Sequence, residues 1–190
     1  MVGAPEYHER TKHAPSDFEN VDFELDFETL PRPFKTYRDH PSVDLSAATA
    51  PVRPALSAVA ESGADPLADT DQTARDRVDA ETVASLCYYA AGVKGERDHP
   101  AGEVGHPTYY RMASCTGNLH HIDVYAVCAD LDGLDAGVYH FDPATFSLDV
   151  LREGDHRGVL AAATGDDTGV ADAPVTLALT SEWWRNAWKS

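Results

Sequence analysis

The chain has 190 residues, which is about the length of one domain. It carries 32 acidic and 15 basic residues, a formal net charge of −17, and 43% of its residues are hydrophobic, which is enough for a core. This balance provides no basic stripe to meet phosphates, so it excludes nucleic acid as a partner. The acidic residues are spread along the chain, which favours a surface adapted to high salt over that of an ordinary acidic cytosolic protein.

The spacing of the cysteines and the hydropathy of the chain indicate where in the cell the protein is expected. Cys87, Cys115 and Cys128 are odd in number and form no CxxC pair, so neither a zinc cage nor a disulfide framework is predicted. No run of about 20 apolar residues is present. Met1 to His13 lacks the apolar region of a secretory signal. We therefore expect a cytoplasmic protein that does not enter a membrane.

The sequence of residues 1–78 predicts segments that lie outside the core of the domain. Residues 1–45 are expected to form an extended N-terminal arm. Within it, residues 17–30 alternate acidic and apolar side chains, the pattern of a peripheral strand. Residues 46–78 are rich in Ala, Pro, Asp and Ser, which predicts a loop or linker.

The rest of the chain, residues 79–190, predicts a domain with helices and strands. A helix is predicted from an N-cap at Asp79 to Gly92, followed by a polar loop from Lys94 to Pro107. The apolar residues at helical spacing, which we expect to face one core, are Val83, Leu86, Cys87 and Ala90.

Four apolar segments bounded by turn residues predict a sheet. They are Val124–Ala129, Val138–Phe141, Phe146–Leu151 and Val175–Thr180. A short helix capped by Asp155 is predicted between the third and fourth segments, and another capped by Ser181 is predicted after the fourth. Helices mixed with hairpins of this kind favour an α+β fold over a doubly wound sheet.

The most informative stretch runs from Arg111 to Tyr125. Ser114 to Asn118 is a run of small and polar residues directly before the first predicted strand. Such residues let a flat ligand approach bare backbone. The alternative is a tight loop that only turns the chain into the strand.

This stretch resembles the flavin-binding motif of the nitroreductase-like flavoproteins, in the SagB-type dehydrogenase subgroup. That subgroup carries an Arg, small residues, a Gly and a Leu, then an acidic residue and a Tyr. The matching positions are Arg111, Ala113, Gly117, Leu119, Asp123 and Tyr125. The segments Tyr7 to Lys12 and Pro31 to Tyr37 are also similar to the subgroup. The resemblance implies an α+β, nitroreductase-like mixed sheet flanked by helices.

The resemblance also implies a function. It points to an FMN-dependent oxidoreductase that transfers hydride through flavin N5, with NAD(P)H as a reductant and a small-molecule or peptide substrate. Family members form a homodimer around the flavin. The residues that the resemblance assigns to FMN here are Arg111, Ser114, Cys115, Thr116, Gly117 and Asn118, and it names no catalytic side chain.

Two departures from the family pattern keep a second function open. The family places an arginine cluster before its first core helix to hold the FMN phosphate, whereas this chain has only Arg75 and Arg77 there, among acidic residues. Arg75 is the remaining phosphate candidate. The family fold also continues beyond Ser190, so we expect residues 79–190 to be the first part of a domain that is incomplete at its C-terminus. The alternative function is therefore a truncated, non-catalytic remnant or half-domain subunit that does not bind flavin alone and pairs with the missing segment.

Other chemistries have weaker support in the sequence. His120 and His121 are adjacent on a predicted strand edge and would point to opposite faces, so no metal site is predicted. No Gly-x-Ser-x-Gly elbow, Walker loop or dinucleotide glycine fingerprint occurs.

Overall fold

A five-stranded antiparallel sheet with one long helix against its face organises the protein. The computed structural model describes residues 3–12, 14, 26–47, 78–98 and 107–188. The helices in these ranges are α1 (Ala4–Thr11), α2 (Ala80–Ala91), α3 (Arg157–Ala163), α4 (Thr168–Asp172) and α5 (Trp183–Ala187), with 3₁₀ turns at Phe27–Thr29 and Thr116–Asn118. The strands are β1 (Ser42–Asp44), β2 (Val93–Arg97), β3 (Thr108–Arg111), β4 (Ile122–Cys128), β5 (Gly137–Asp142), β6 (Ser147–Glu153) and β7 (Val175–Ser181).

The sheet confirms the four predicted strands and the α+β class. Its order is β1-β6-β5-β4-β7, and every pairing among the described strands is antiparallel. Strands β2 and β3 form a separate antiparallel pair. Because side chains alternate along a strand, Val124, Ala126 and Cys128 of β4 enter the core under α2, while Asp123 and Tyr125 point to the opposite face.

Helix α2 begins as predicted, but the prediction that Leu86 faces the core is wrong. Asp79 caps the helix by accepting a hydrogen bond from the Thr82 main-chain N–H at 2.8 Å. Val83 and Cys87 are fully buried, whereas Leu86 is 43% exposed. The buried face is completed by Ala84 and Ala91, because these small side chains let the helix lie close to the sheet.

Several predictions for connecting segments need correction. The N-terminal arm is not extended throughout, since residues 4–11 form α1 and residues 42–44 form the edge strand β1. Leu45, directly after β1, is buried in the core. The predicted polar loop after α2 begins with strand β2, whose pairing with β3 carries polar side chains on an exposed surface.

Of the segment predicted as a peripheral strand, residues 17–30, the structure describes only residues 26–30. Residues 27–29 form a 3₁₀ turn instead, and residues 15–25 lie outside the described residues. Ser181 ends β7 rather than capping the last helix, and Glu182 takes the cap position of α5. The linker predicted over residues 46–78 lies almost wholly outside the described residues, so the division of the chain at 45 and 78 stays a prediction.

Candidate functional site

The loop between β3 and β4 folds back on itself through three left-handed residues. Gly117 has a φ of 63°, Asn118 of 59° and His120 of 46°. Glycine adopts this conformation freely, and asparagine and histidine are found there more often than other residues, although still uncommonly. Such backbone persists where the surroundings hold it in place, and it is concentrated at functional sites.

Hydrogen bonds within the loop supply that support. Asn118 Nδ2 donates to the carbonyl of Tyr109 at 2.8 Å, and Asn118 Oδ1 lies 2.8 Å from His120 Nε2. The main-chain N–H of His120 donates to Cys115 Sγ at 3.2 Å. At the start of the loop, the Met112 N–H donates to the carbonyl of Gly92 at 2.8 Å, which fixes the loop beside the end of α2.

Gly92 is needed for this approach of helix and loop. A Cβ at position 92 would lie 2.5 Å from the Tyr88 ring and 2.6 Å from the Tyr88 carbonyl oxygen. Any larger residue would therefore displace the last turn of α2. The glycine lets α2 end where β2 must begin.

A cleft of about 570 Å³ opens between the loop, the end of α2 and strands β4 and β7. Its apolar part includes Ala90, Val124 and Leu179, and residues 113–116 supply a wall of small side chains. The volume lies within the roughly 300–1,000 Å³ of small-molecule sites. The cleft thus has room for a small-molecule ligand of moderate size.

The structure brings together most of the residues that the sequence assigned to a flavin. Arg111, Ser114, Cys115 and Thr116 all line the cleft. Gly117 and Asn118 do not line it: Gly117 turns the loop, and the Asn118 side chain is committed to Tyr109 and His120. Arg75 lies outside the described residues, so its assignment stays a prediction.

Arg111 is the buried cation of the cleft. Its side chain is only 4% exposed, and its Nη2 donates to the carbonyl of Pro33 at 2.7 Å. The guanidinium carbon lies 5.1 Å from the centre of the Phe34 ring, a cation–π distance. Its Nε is buried without a hydrogen-bond partner among the described residues. A buried donor of this kind is costly unless a ligand or water accepts from it.

A network of charged side chains lies behind the loop. Arg185, which is 2% exposed, places its Nε 2.7 Å from Glu182 Oε2 and its Nη1 3.9 Å from Asp123 Oδ1. The same Nη1 donates to the carbonyl of His120 at 3.2 Å. Lys35 adds a second cation, 3.9 Å from Asp123 Oδ2 and 3.7 Å from Glu182 Oε1. The network therefore ties the N-terminal segment and α5 to the loop.

Burial and neighbouring charges set the protonation states around the cleft. Burial, with Arg185 as the next contributor, lowers the pKa of Arg111 to about 10, which leaves it cationic at neutral pH. Burial, followed by the charges of Arg111 and Arg185, lowers the pKa of His120 to about 4. Burial raises the pKa of Asp123, against the opposing effect of Arg185. At neutral pH the cleft thus presents a cation and a neutral imidazole within an acidic protein.

A second polar row crosses the other face of the sheet. Tyr125 pairs with His140 and His140 with Asp149 on neighbouring strands, so these three side chains lie in line. His140 Nδ1 is 3.0 Å from Asp149 Oδ2, and the hydroxyl of Tyr125 is 3.0 Å from that of Tyr37. None of the four residues lines the cleft, so the row holds residues 35–37 on the sheet rather than forming part of the site.

Sequence reasoning missed His120, Arg185 and Lys35 as parts of this site. His120 was considered only as a metal ligand, and no group of three or more His, Cys, Asp or Glu side chains in the described ranges is placed to hold a metal ion. The pairing of His120 with a buried arginine 65 positions away leaves no local pattern. Across the part of the chain that the structure covers, none of the helices has the length and apolar character needed to span a membrane.

The comparisons with known proteins identify the fold. No protein-family model and no curated protein matches the chain. A solved structure, that of a "putative nitroreductase" from Anabaena variabilis, superimposes with a TM-score of 0.68 at 24% sequence identity. The match covers 98% of this chain and 33% of that protein, so the chain spans about a third of its length. The chain has a nitroreductase-like α+β fold, as the sequence predicted.

Proposed function

We propose that this chain supplies the flavin-ring half of the site of an FMN-dependent oxidoreductase. The single observation that carries the proposal is the cleft that Arg111 lines together with small residues, since its buried Nε has no hydrogen-bond partner among the described residues. The nitroreductase-like fold supports it, and the motif from Arg111 to Tyr125 favours the SagB-type subgroup. FMN, when bound, would supply hydride transfer at its N5, with NAD(P)H as the reductant.

The residues present fit the ring of a flavin. The ring has carbonyl oxygens and ring nitrogens along one edge, and Arg111 offers a cationic donor to such an edge. The main-chain N–H groups of Ser114 and Cys115 have no hydrogen-bond partner in the described part of the chain and can serve as further donors. The small side chains at 113–116 leave room for a flat ring to lie against the backbone.

The described residues offer few groups that could bind the phosphate of FMN. Among them, Arg111 is the only arginine or lysine that lines the cleft, and we place it at the ring. Arg75 remains the proposed phosphate contact. We therefore propose that full FMN affinity requires a further polypeptide, either a second copy in a homodimer or a segment corresponding to the rest of the longer fold. The acceptor, by the same proposal, is a small molecule or a peptide.

A second function is favoured by exposed apolar side chains beside the cleft. Trp183 is 74% and Leu179 62% exposed, and β7 pairs only with β4 among the described strands. Large aromatic side chains of this exposure usually mark a contact surface. The alternative is accordingly a half-domain subunit that binds no flavin until a partner covers this surface.

The two functions are separated by titrating FMN into the purified chain and following flavin fluorescence. We expect saturable but weak binding, with a Kd of roughly 0.1–1 mM. An Arg111→Met variant should weaken this binding about tenfold, because a charge-assisted hydrogen bond is lost. Arg157→Met is the matched control, since Arg157 pairs with Asp155 on the surface and should leave the affinity unchanged.

Each other result has a definite meaning. No change in fluorescence up to about 1 mM FMN would favour the half-domain function. Micromolar binding by the chain alone would retain the flavin function and refute the need for a further polypeptide. Equal weakening by Arg111→Met and Arg157→Met would remove Arg111 from the site. An Arg111→Lys variant, which keeps the charge, guards against a loss of folding in the methionine variant.

A further inference from the structure

The side chain of His120 is oriented by a relay that fixes which ring nitrogen carries its proton. Asn118 Nδ2 donates to the Tyr109 carbonyl, so Asn118 Oδ1 is the atom that faces the imidazole. An amide oxygen can only accept, and His120 Nε2 at 2.8 Å must therefore be the donor. In a neutral imidazole the other nitrogen then carries a lone pair. His120 Nδ1 is thus a hydrogen-bond acceptor.

The main-chain polar groups of His120 are also engaged, which holds the residue in position. Its N–H donates to Cys115 Sγ and its carbonyl accepts from Arg185. The backbone has a φ of 46°, a left-handed conformation that is uncommon for any residue other than glycine. Nδ1 has no hydrogen-bond partner among the described residues, and the side chain lines the cleft. The loop therefore presents one oriented acceptor to a ligand.

The neighbouring histidine shows that this arrangement is particular to His120. His121 also lines the cleft, but its Nδ1 lies 2.9 Å from Ser181 Oγ. The hydroxyl of Ser114, on the exposed wall, rotates and can donate or accept. Arg111 and main-chain N–H groups are donors only. His120 Nδ1 is consequently an acceptor of fixed tautomer, whereas Ser114, Thr116 and Asn186 carry groups that can either donate or accept.

We propose that His120 Nδ1 accepts the imide N–H of a bound heterocycle, flanked by donors that bind the adjacent carbonyl oxygens. An imide edge presents an acceptor, a donor and an acceptor in order, and the cleft offers the complementary set. This inference rests on the proposed function, in which the heterocycle is the flavin ring and the group is its N3–H. His120 is then the residue that selects an imide over a ring lacking that hydrogen.

The test compares FMN with its N3-methyl derivative, which lacks the imide hydrogen. By flavin fluorescence, the wild-type chain should bind FMN about tenfold more tightly than the methylated form, because one hydrogen bond is lost. His120→Asn, which tolerates the left-handed backbone but is too short to reach, should bring the ratio close to one. His156→Ala is the control, since His156 lies outside the cleft and contacts the Glu153 carbonyl on the surface, and it should keep the tenfold preference.

A second measurement needs no ligand. Nitrogen-15 NMR of the imidazoles should show His120 in the Nε2–H form, and Asn118→Ala should remove that preference. A proton on Nδ1 in the wild-type chain would overturn the inference, as would equal affinity of the wild-type chain for the two flavins. A preference that survives in His120→Asn would overturn it while leaving the flavin function intact. If neither flavin binds, the inference and the proposed function both fail.

Discussion

At the scale of single residues, the cleft depends on buried charged side chains that hydrogen bonds, ion pairs and ring contacts hold in place. Arg111 rests on the Pro33 carbonyl and the Phe34 ring, and Arg185 on Glu182 and Asp123. Burial of the imidazole, followed by the charges of Arg111 and Arg185, lowers the pKa of His120 and makes its protonation unfavourable. The protonation state of His120 is therefore a property of the folded chain.

We predict that His120 makes the protein sensitive to mild acid. Its folded pKa of about 4 lies below the ordinary value of 6.5, so the unfolded chain takes up the proton first as pH falls. The stabilisation is complete above pH 6.5 and is lost as pH falls towards 4. After allowance for solvent screening, the unfolding free energy should drop by roughly 1–2 kcal/mol more in the wild-type chain than in His120→Asn.

Urea unfolding of both proteins at pH 7 and pH 4.5 measures this difference, because the titration of the carboxylates common to both cancels. A parallel pH dependence of the two proteins would show that His120 is protonated equally easily in the folded and unfolded chains.

The residues of the site were predictable only where their role is local. Arg111 and the small residues at 114–116 follow one another and carry a pattern, and the structure places them on the cleft. Asn118 belongs to the same pattern, but its amide turns inward because Tyr109 and His120 supply its partners. His120 and Arg185 meet from 65 positions apart, and no local pattern signals such a contact.

At the scale of elements, the strands were predictable because apolar runs and turns are short-range signals. β4, β5, β6 and β7 lie within one or two residues of their predicted ends. β1, β2 and β3 were missed, since β1 and β3 have three and four residues and β2 carries mostly polar side chains. Helix α2 was found with Val83 and Cys87 buried as expected, but Leu86, also expected in the core, is exposed. That difference yields a direct test.

We predict opposite sensitivities for two apolar residues of α2. Val83 is fully buried, so Val83→Ala should lower the unfolding free energy by about 2 kcal/mol through lost burial and the cavity it leaves. Leu86 is 43% exposed, and Leu86→Ala, although it removes more atoms, should cost less than about 1 kcal/mol. Denaturant unfolding of the two variants measures both. A larger loss at Leu86 would mean that a partner or another segment covers this face, or that the helix is rotated.

At the scale of the whole molecule, charge and apolar exposure act in opposite directions. A net charge of −17 keeps copies of the chain apart, while Leu179 at the cleft and Trp183 and Trp184 of α5 are exposed apolar side chains that favour contact. The fold was predictable from the sequence because the apolar segments and the motif that indicate it form the sheet and the loop before β4. The overall charge concerns the solvent rather than the fold, and it has its own test.

We predict that potassium chloride stabilises the chain. Carboxylates repel one another over a screening length of about 30 Å at 0.01 M salt, and this shrinks to about 3 Å at 1 M. If screening relieves about 2 kcal/mol of repulsion, the melting temperature should rise by roughly 4–8 °C between these concentrations. A triple variant at exposed positions, Asp132→Asn, Asp135→Asn and Glu153→Gln, should melt higher in dilute salt and respond less to added salt. Asp132 and Asp135 lie in the turn before β5, and Glu153 ends β6 opposite Gly137, the first residue of β5. A melting temperature that is flat or falls with salt would leave an ordinary acidic protein, and an unchanged salt response in the variant would place the effect elsewhere on the surface.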